Sequence, residues 1–308
     1  MVYTVTLNPA IDYIVSPAKF AAGEINRYQK AVYGPGGKGA NVSLLLSSLG
    51  VRNRALGICA GFSGGEIVRL LEERGCETDF VRMPQGHSRI NVKVCAPDGE
   101  ETDLNGDGPD TPPEAVEELL QKLDGLGEGD TLVLAGSIPG SVPGDIYAAM
   151  LRRLEGRGVL AVVDATGEAL RCVLPCRPFL VKPNSDELGE LFGVEIPDVG
   201  TAKEYAKLLV REGARNVVVS MGDKGALLVG ETGQSLFCRT VRGEAVSTVG
   251  AGDSLVAGFL YGYGLHGTLQ GALQWGVAAG AATAFSKGIA SGDAVKALYP
   301  RAGNPSPI

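Results

Sequence analysis

The sequence predicts an α/β fold with a mainly parallel central sheet, helices on both faces and a small β-sheet lid. Three observations carry this. Short continuous apolar runs recur along the chain, amphipathic helical stretches separate them, and a few further segments are strand-like but only half apolar. Val2–Leu7 reads as the first buried strand and Asn41–Leu49 as an amphipathic helix. Arg54–Cys59 is strand-like and Glu66–Glu73 helical. Thr131–Ala135, Val159–Val163, Phe179–Val181 and Asn216–Ser220 are further buried strands, with Pro113–Leu123, Asp145–Leu154 and Thr201–Glu212 supplying helices between them. Tyr13–Ser16, Ile25–Val32, Ser88–Cys95 and a piece around Glu101–Leu104 do not suit a fully buried sheet. In Ser88–Cys95, Arg89, Asn91 and Lys93 share one side while Ile90, Val92 and Val94 share the other, and Pro97-Asp98-Gly99 follows as a turn signal. These pieces predict an antiparallel lid with one wet face, inserted at about 12–33 and 88–105 into a single domain spanning 1–308.

A chain of 308 residues can bury a sizeable core without disulfide or metal staples. Its 28 Lys+Arg against 35 Asp+Glu give a net charge of −7, which offers no broad positive field for nucleic acid. An anionic ligand must therefore be met by local chemistry. The opening MVYTVTLNPAID has no basic n-region, and no apolar run is long enough to span a bilayer, so a cytoplasmic protein with no membrane partner is expected. The six cysteines are scattered; only Cys172 and Cys176 are close, without a second pair or His to complete a zinc site. Glycine, at 45 residues, is about twice the average usage of roughly 7% and is clustered, which fits backbone that approaches ligands closely.

The strongest chemical signal is Ser247-Thr-Val-Gly250-Ala251-Gly252-Asp253-Ser254, running into the apolar helix Leu255–Tyr263. A Gly-Ala-Gly turn at a helix start leaves backbone N–H groups facing outward, and with the helix dipole they make an anion site. A carboxylate there would repel a merely bound phosphate. It makes sense where Asp253 takes a proton from a hydroxyl while the amides of Gly250, Ala251 and Gly252 hold charge on a transferred phosphoryl group; the other reading is that Asp253 caps the helix. Gly34-Pro-Gly36-Gly37-Lys38-Gly39-Ala40-Asn41 contains G-x-G-x-x-G, but it does not follow the first buried strand. Cys59 stands where a dinucleotide fold needs a ribose-binding acid, and no Ser/Thr follows Lys38 as in a Walker loop. It reads better as a site for a polyol bearing a negative group. Asn184-Ser-Asp-Glu187 places Asn184 and Glu187 three apart on one helix face, either as a capping pair or to position water-ligated Mg²⁺. Ser220-Met-Gly222-Asp-Lys224-Gly225 ends a strand in a turn where a nucleotide could lie. Arg89 and Lys93 could clamp a substrate phosphate, and Asp12 could accept from sugar hydroxyls.

The ordered set GPGGKGAN, KPNSDE, SMGDKG and TVGAGDS resembles the ribokinase-like carbohydrate kinases of the phosphofructokinase-B family over essentially the whole chain. TLNPAIDYIV and RINVKV are similar to members acting on ketohexose phosphates, fructose 1-phosphate first and tagatose 6-phosphate second. The resemblance implies ATP and Mg²⁺, with the γ-phosphoryl group passing to a sugar-phosphate hydroxyl. On matching positions it implies Asp253 as base and Gly250, Ala251 and Gly252 as anion hole. Asp12, Gly36, Gly37, Lys38, Asn41 and Ser137 would contact the sugar, with Arg89, Lys93 and Asn105 at its phosphate. Lys182, Asn184, Ser220, Gly222 and Gly225 would line the ATP, and Glu187 would act on magnesium through water. The chain departs from the family in having Ala60-Gly61 where a Gly-Gly pair is usual. A non-catalytic sugar-phosphate sensor on the same fold is the alternative of a different class, although a pure sensor has no need of Asp253. Apolar Ile25 and Val32 on lid strands need a cover, which points to a homodimer formed lid to lid.

Overall fold

The computed structural model describes residues 1–96 and 100–308, so the Pro97-Asp98-Gly99 turn signal lies outside the described residues. Strand β1 (Val2–Thr6) leads directly into β2 (Ala10–Pro17) and β3 (Tyr28–Gly36), and the chain then enters helix α1 (Lys38–Ser48). Next come β4 (Asn53–Ala60), α2 (Gly61–Glu73), β5 (Glu77–Met83), β6 (Arg89–Cys95) and β7 (Glu101–Leu104). The middle of the chain gives α3 (Pro113–Lys122), β8 (Thr131–Ala135), α4 (Ile146–Arg153), β9 (Leu160–Asp164), α5 (Gly167–Val173) and β10 (Leu180–Val181). After α6 (Ser185–Phe192) and α7 (Val199–Glu212) follow β11 (Asn216–Ser220), β12 (Ala226–Gly230) and β13 (Ser235–Cys238). Helices α8 (Ala251–His266), α9 (Leu269–Ala284) and α10 (Gly292–Leu298) precede the short edge strand β14 (Ser306–Pro307).

Ten strands form the main sheet in the order β14-β13-β12-β11-β10-β9-β8-β1-β4-β5. Pairing is parallel from β5 through β11 and antiparallel from β11 to β14. Because strand side chains alternate, each central strand feeds two cores. Leu132 and Leu134 of β8, with Val217 and Val219 of β11, pack beneath α3, α4, α5 and α7. Val133, Ala135 and Val218 face α1, α8 and α9 on the other side. Helix α8 is apolar nearly all round because it is enclosed by α1 and α9. A Cβ on Gly258 would meet Ala279 Cβ at 2.5 Å, which is why the two helices can lie so close. The expected helices and buried strands are present to within a few residues; β5, β12, β13, β14, α5, α9 and α10 are additional. No described helix is long and apolar enough to cross a membrane.

The lid is a separate four-stranded sheet in the order β3-β2-β6-β7. It corrects the antiparallel expectation: β2 pairs with β3 and β6 with β7 antiparallel, but the central pair β2–β6 is parallel. The reason is topological. β2 and β6 are joined by no hairpin but by a long connection through β3, α1, β4, α2 and β5, and only a long connection can set two neighbouring strands parallel. The faces also differ from the simple picture of polar residues in water. Asp12, Arg89 and Asn91 turn toward the main sheet; Val32 (66% exposed), opposite Ile14, lies farther out on that same face, Leu104 (62%), opposite Val92, lies on the other, and Ile25 (85%) precedes β3 instead of lying on a lid strand as expected.

Candidate functional site

The carboxyl ends of β1, β8, β9, β10 and β11 open on one crevice, the usual ligand position in an open parallel sheet. Between them and the lid lies a cavity of about 1060 Å³. Its floor is built by the start of α1. Gly37, at φ +109°, turns the chain into the helix, and a Cβ there would lie 2.7 Å from Thr6 Cγ2 of β1. Lys38 and Asn41 therefore leave the first turn of α1 pointing into the cavity.

Helix α8 begins at Gly250, in the left-handed region at φ +78°, where a Cβ would lie 2.5 Å from Ile289 Cδ1. The Asp253 side chain makes no capping bond. Its Oδ2 instead accepts from Asn41 Nδ2 at 2.8 Å, so the geometry is that of a held carboxylate and not of a helix cap. Burial, then the negative charge of Asp164, push the Asp253 pKa up to about 6 against the pull of Asn41, Lys38 and Lys182. Of the turn's amides, Ala251 N–H donates to Thr248 O at 3.2 Å and is engaged within the loop. The remaining first-turn donors, with the helix dipole, face the cavity.

Asp164, 1% exposed at the end of β9, organises the charges around Asp253. Lys38 Nζ donates to Asp164 Oδ1 at 3.0 Å and lies 3.6 Å from Glu187 Oε1; Lys182 Nζ, buried, lies 3.4 Å from Asp164 Oδ2. Although burial alone would depress it, these carboxylates hold the Lys38 ammonium pKa above the usual lysine range. Asn184 and Glu187 form a complete capping box: Glu187 N–H donates to Asn184 Oδ1 at 2.7 Å and Asn184 N–H to Glu187 Oε2 at 2.8 Å. The box fixes the Glu187 carboxylate, with Oε1 on the Lys38 side. At the far end, Ser220, Gly222 and Gly225 line a slot continued by Val241, Gly243, Ala281 and Phe285, apolar and narrow enough that a Cβ on Gly243 would lie 2.5 Å from the Phe285 ring. Such a slot suits a planar ring.

On the lid side, Asp12 Oδ1 accepts from Asn91 Nδ2 at 2.8 Å, and burial raises the Asp12 pKa. Arg89 Nε donates to Asn8 O at 3.1 Å. Ser137 lines the cavity after β8. Gly36 lies behind the wall, where its missing side chain makes room for the Asp12 carboxylate. Lys93 and Asn105 are not brought to the cavity: Lys93 Nζ is 2.9 Å from Glu101 and 3.4 Å from Asp103 on β7, and Asn105 is exposed. Asn8, Asn91 and Asp164 line the cavity without having been picked out from sequence. Asp164 carried a usable signal, being an acid that ends a continuous apolar strand.

The cavity thus places a buried carboxylate and a helix N-terminus between a polar lid and an apolar slot, an arrangement suited to moving an anionic group onto a hydroxyl. Known proteins agree. A model of the "pfkB family carbohydrate kinase" matches residues 5–295. The 1-phosphofructokinase of Bacillus subtilis is 44% identical over 97% of this chain and 98% of its own. The D-tagatose-1-phosphate kinase of Bacillus licheniformis is 33% identical over 94% of each chain. The crystal structure of phosphofructokinase-2 from Escherichia coli in complex with fructose-6-phosphate superposes with a TM-score of 0.90 at 28% identity, covering 97% of this chain and 98% of that one. With its glycine-built floor, its held carboxylate and its lid accounted for along the whole length of the match, this chain belongs to the pfkB family of carbohydrate kinases.

Proposed function

We propose that the chain transfers the γ-phosphoryl group of ATP to the free primary hydroxyl of a ketohexose phosphate, fructose 1-phosphate foremost, giving fructose 1,6-bisphosphate and ADP. The observation that carries the reading is Asp253: buried, held by Asn41, raised to about 6, and seated in the first turn of α8. Its carboxylate takes the hydroxyl proton as the new O–P bond forms and the bond to the β-phosphate oxygen breaks; the proton then leaves to solvent. Gly250 and Gly252 amides stabilise the transferring group, with Ala251 joining if its bond to Thr248 opens. Lys38 and Lys182 supply positive charge beside it. Asp12, Asn41, Gly37 and Ser137 orient the sugar, Gly36 by leaving room for the Asp12 carboxylate, and Arg89 meets its existing phosphate. Lys93 and Asn105 reach that phosphate only if the lid closes further. Lys182, Asn184, Ser220, Gly222 and Gly225 border ATP, its base in the apolar slot.

Mg²⁺ fits the residues present. Asp164 Oδ2 is buried without a hydrogen bond, and with Glu187 it offers the hard oxygen donors this ion takes, one or two carboxylates and waters being the usual protein share. When bound, the ion neutralises phosphate oxygens and so lowers the repulsion met by the incoming hydroxyl. A reaction fed by ATP, in a chain whose six cysteines are all unpaired, suits a reducing compartment, and we place it in the cytoplasm. Exposed apolar residues on and beside the lid strands, Val32, Leu104 and Ile25, favour a lid-to-lid homodimer.

The test is ADP release with Mg-ATP, comparing kcat/KM for fructose 1-phosphate, tagatose 1-phosphate, tagatose 6-phosphate and fructose 6-phosphate. Fructose 1-phosphate is expected to lead by about tenfold or more, equivalent to ~1.4 kcal/mol. The tagatose phosphates are the second reading, favoured by the Bacillus licheniformis relative. Binding of sugar phosphate with no turnover of any would instead mark a sensor.

A further inference from the structure

One row of the lid is polar from strand to strand. In the parallel pairing of β2 with β6, Asp12 stands opposite Asn91; on its other flank, in β3, stands Gly34, which brings no side chain. Asn91 Nδ2 donates to Asp12 Oδ1 at 2.8 Å. An ionised carboxylate only accepts, so the amide must turn its NH₂ group to Asp12, and its carbonyl oxygen is left facing elsewhere. That oxygen is buried and accepts no hydrogen bond within the protein, while Asn91 lines the cavity. Asn8 Oδ1, from the other wall, is in the same condition. Buried acceptors without donors are unfavourable in isolation and become useful when a ligand brings hydroxyl protons to them.

We propose that Asn91 is a specificity-determining residue: its Nδ2 end holds the Asp12 carboxylate in place, and its Oδ1 end accepts from a sugar ring hydroxyl next to the one that Asp12 binds. This rests on the reading of the cavity as a sugar-phosphate site and extends it to a matched pair of readers, one carboxylate and one amide, set side by side by sheet register. A site built to pair a hydroxyl rejects an analogue lacking it far more strongly than a merely apolar pocket could. The charge state of Asp12 is set by burial, which raises its pKa. Against burial work the Asn91 hydrogen bond, Arg89 and Lys93 on β6; Asp103 on β7 adds to the rise.

The experiment compares wild type with Asn91→Leu, of similar volume and no polar atoms, using fructose 1-phosphate and its 3-deoxy and 4-deoxy analogues. In the variant the sugar KM is expected to rise by about tenfold or more, with kcat and the ATP KM changed little. One deoxy analogue is expected to lose about as much in the wild type, and to lose little further in Asn91→Leu, because the two changes remove the same bond. A wild-type KM in Asn91→Leu, or penalties that add in full, overturns the proposal. So does a wild type indifferent to both missing hydroxyls, a measurement that needs no variant to fold. Equilibrium binding of the sugar phosphates without ATP reads the same contact, so failure of the kinase reading and failure of the Asn91 reading give different results.

Discussion

Replacing Asp253 by asparagine separates what this carboxylate does from what it costs the fold. Its pKa stands at about 6 against an ordinary value of 3.8. A folded-state pKa above the unfolded one means that the folded chain holds the proton more tightly. Stability from this group is therefore complete below 3.8 and is lost as pH rises through about 6. Each pH unit between the two values is worth ~1.4 kcal/mol, so the ionised carboxylate withholds about 3 kcal/mol at neutral pH. Asparagine keeps the shape, and its Oδ1 can still accept from Asn41 Nδ2, but it carries no charge. Urea unfolding at pH 8 is expected to find Asp253→Asn more stable by up to about 3 kcal/mol, a gain that shrinks to about half by pH 5. In ADP-release assays the same variant is expected to lose about 10²–10⁴ in kcat while still binding both substrates. A variant no more stable than wild type at pH 8, or a gain indifferent to pH, refutes the burial argument. Turnover near the wild-type rate refutes the assignment of the base.

Three further outcomes follow from the same geometry. The wild-type kcat is expected to fall by about tenfold per pH unit below about 6, as Asp253 takes up a proton before the substrate can offer one; a profile flat to pH 5 would contradict this. Gly36→Ala drives a Cβ into the Asp12 carboxylate and is expected to raise the sugar KM by about tenfold or more, whereas Gly34→Ala, with nothing within 4 Å of its new Cβ, leaves it unchanged. Val32→Lys places a charge on an exposed part of the lid, and light scattering at micromolar concentration is expected to show a dimer in the wild type and a monomer in the variant.

Sequence reasoning reached furthest where chemistry is local. The turn from Gly250 to Asp253 and the glycines before Lys38 announce themselves because backbone demands and charged groups sit within a few residues of each other. It reached least where a role depends on neighbours from distant segments. Asp164 ends a strand like many acids do, and only the placement of β9 beside β8 and β10 brings Lys38 and Lys182 to it. Alternation along Ser88–Cys95 correctly groups Arg89, Asn91 and Lys93, yet it is blind to how far along the strand the cavity extends, so Lys93 falls to the acids of β7. Periodicity is equally blind to strand direction, which is why the parallel β2–β6 pair was not legible. Asn184 and Glu187 were legible both as a capping pair and as a metal-side pair, and the capping box is what the three-residue spacing builds.

The long reach of the site's own bonds bears on the life of the chain before it is complete. Asn41 and Asp253 are separated by 212 positions and Lys38 and Asp164 by 126. At synthesis rates of about 5–20 residues per second, the glycine-built floor waits on the order of 10–40 s for its carboxylate to emerge. During that interval β1, the strand on which the floor rests, also lacks its neighbour β8. Asp253, and after it the slot residues Ala281 and Phe285, emerge only once the floor has long been made. The charged partners of the site therefore meet only after most of the chain has been made.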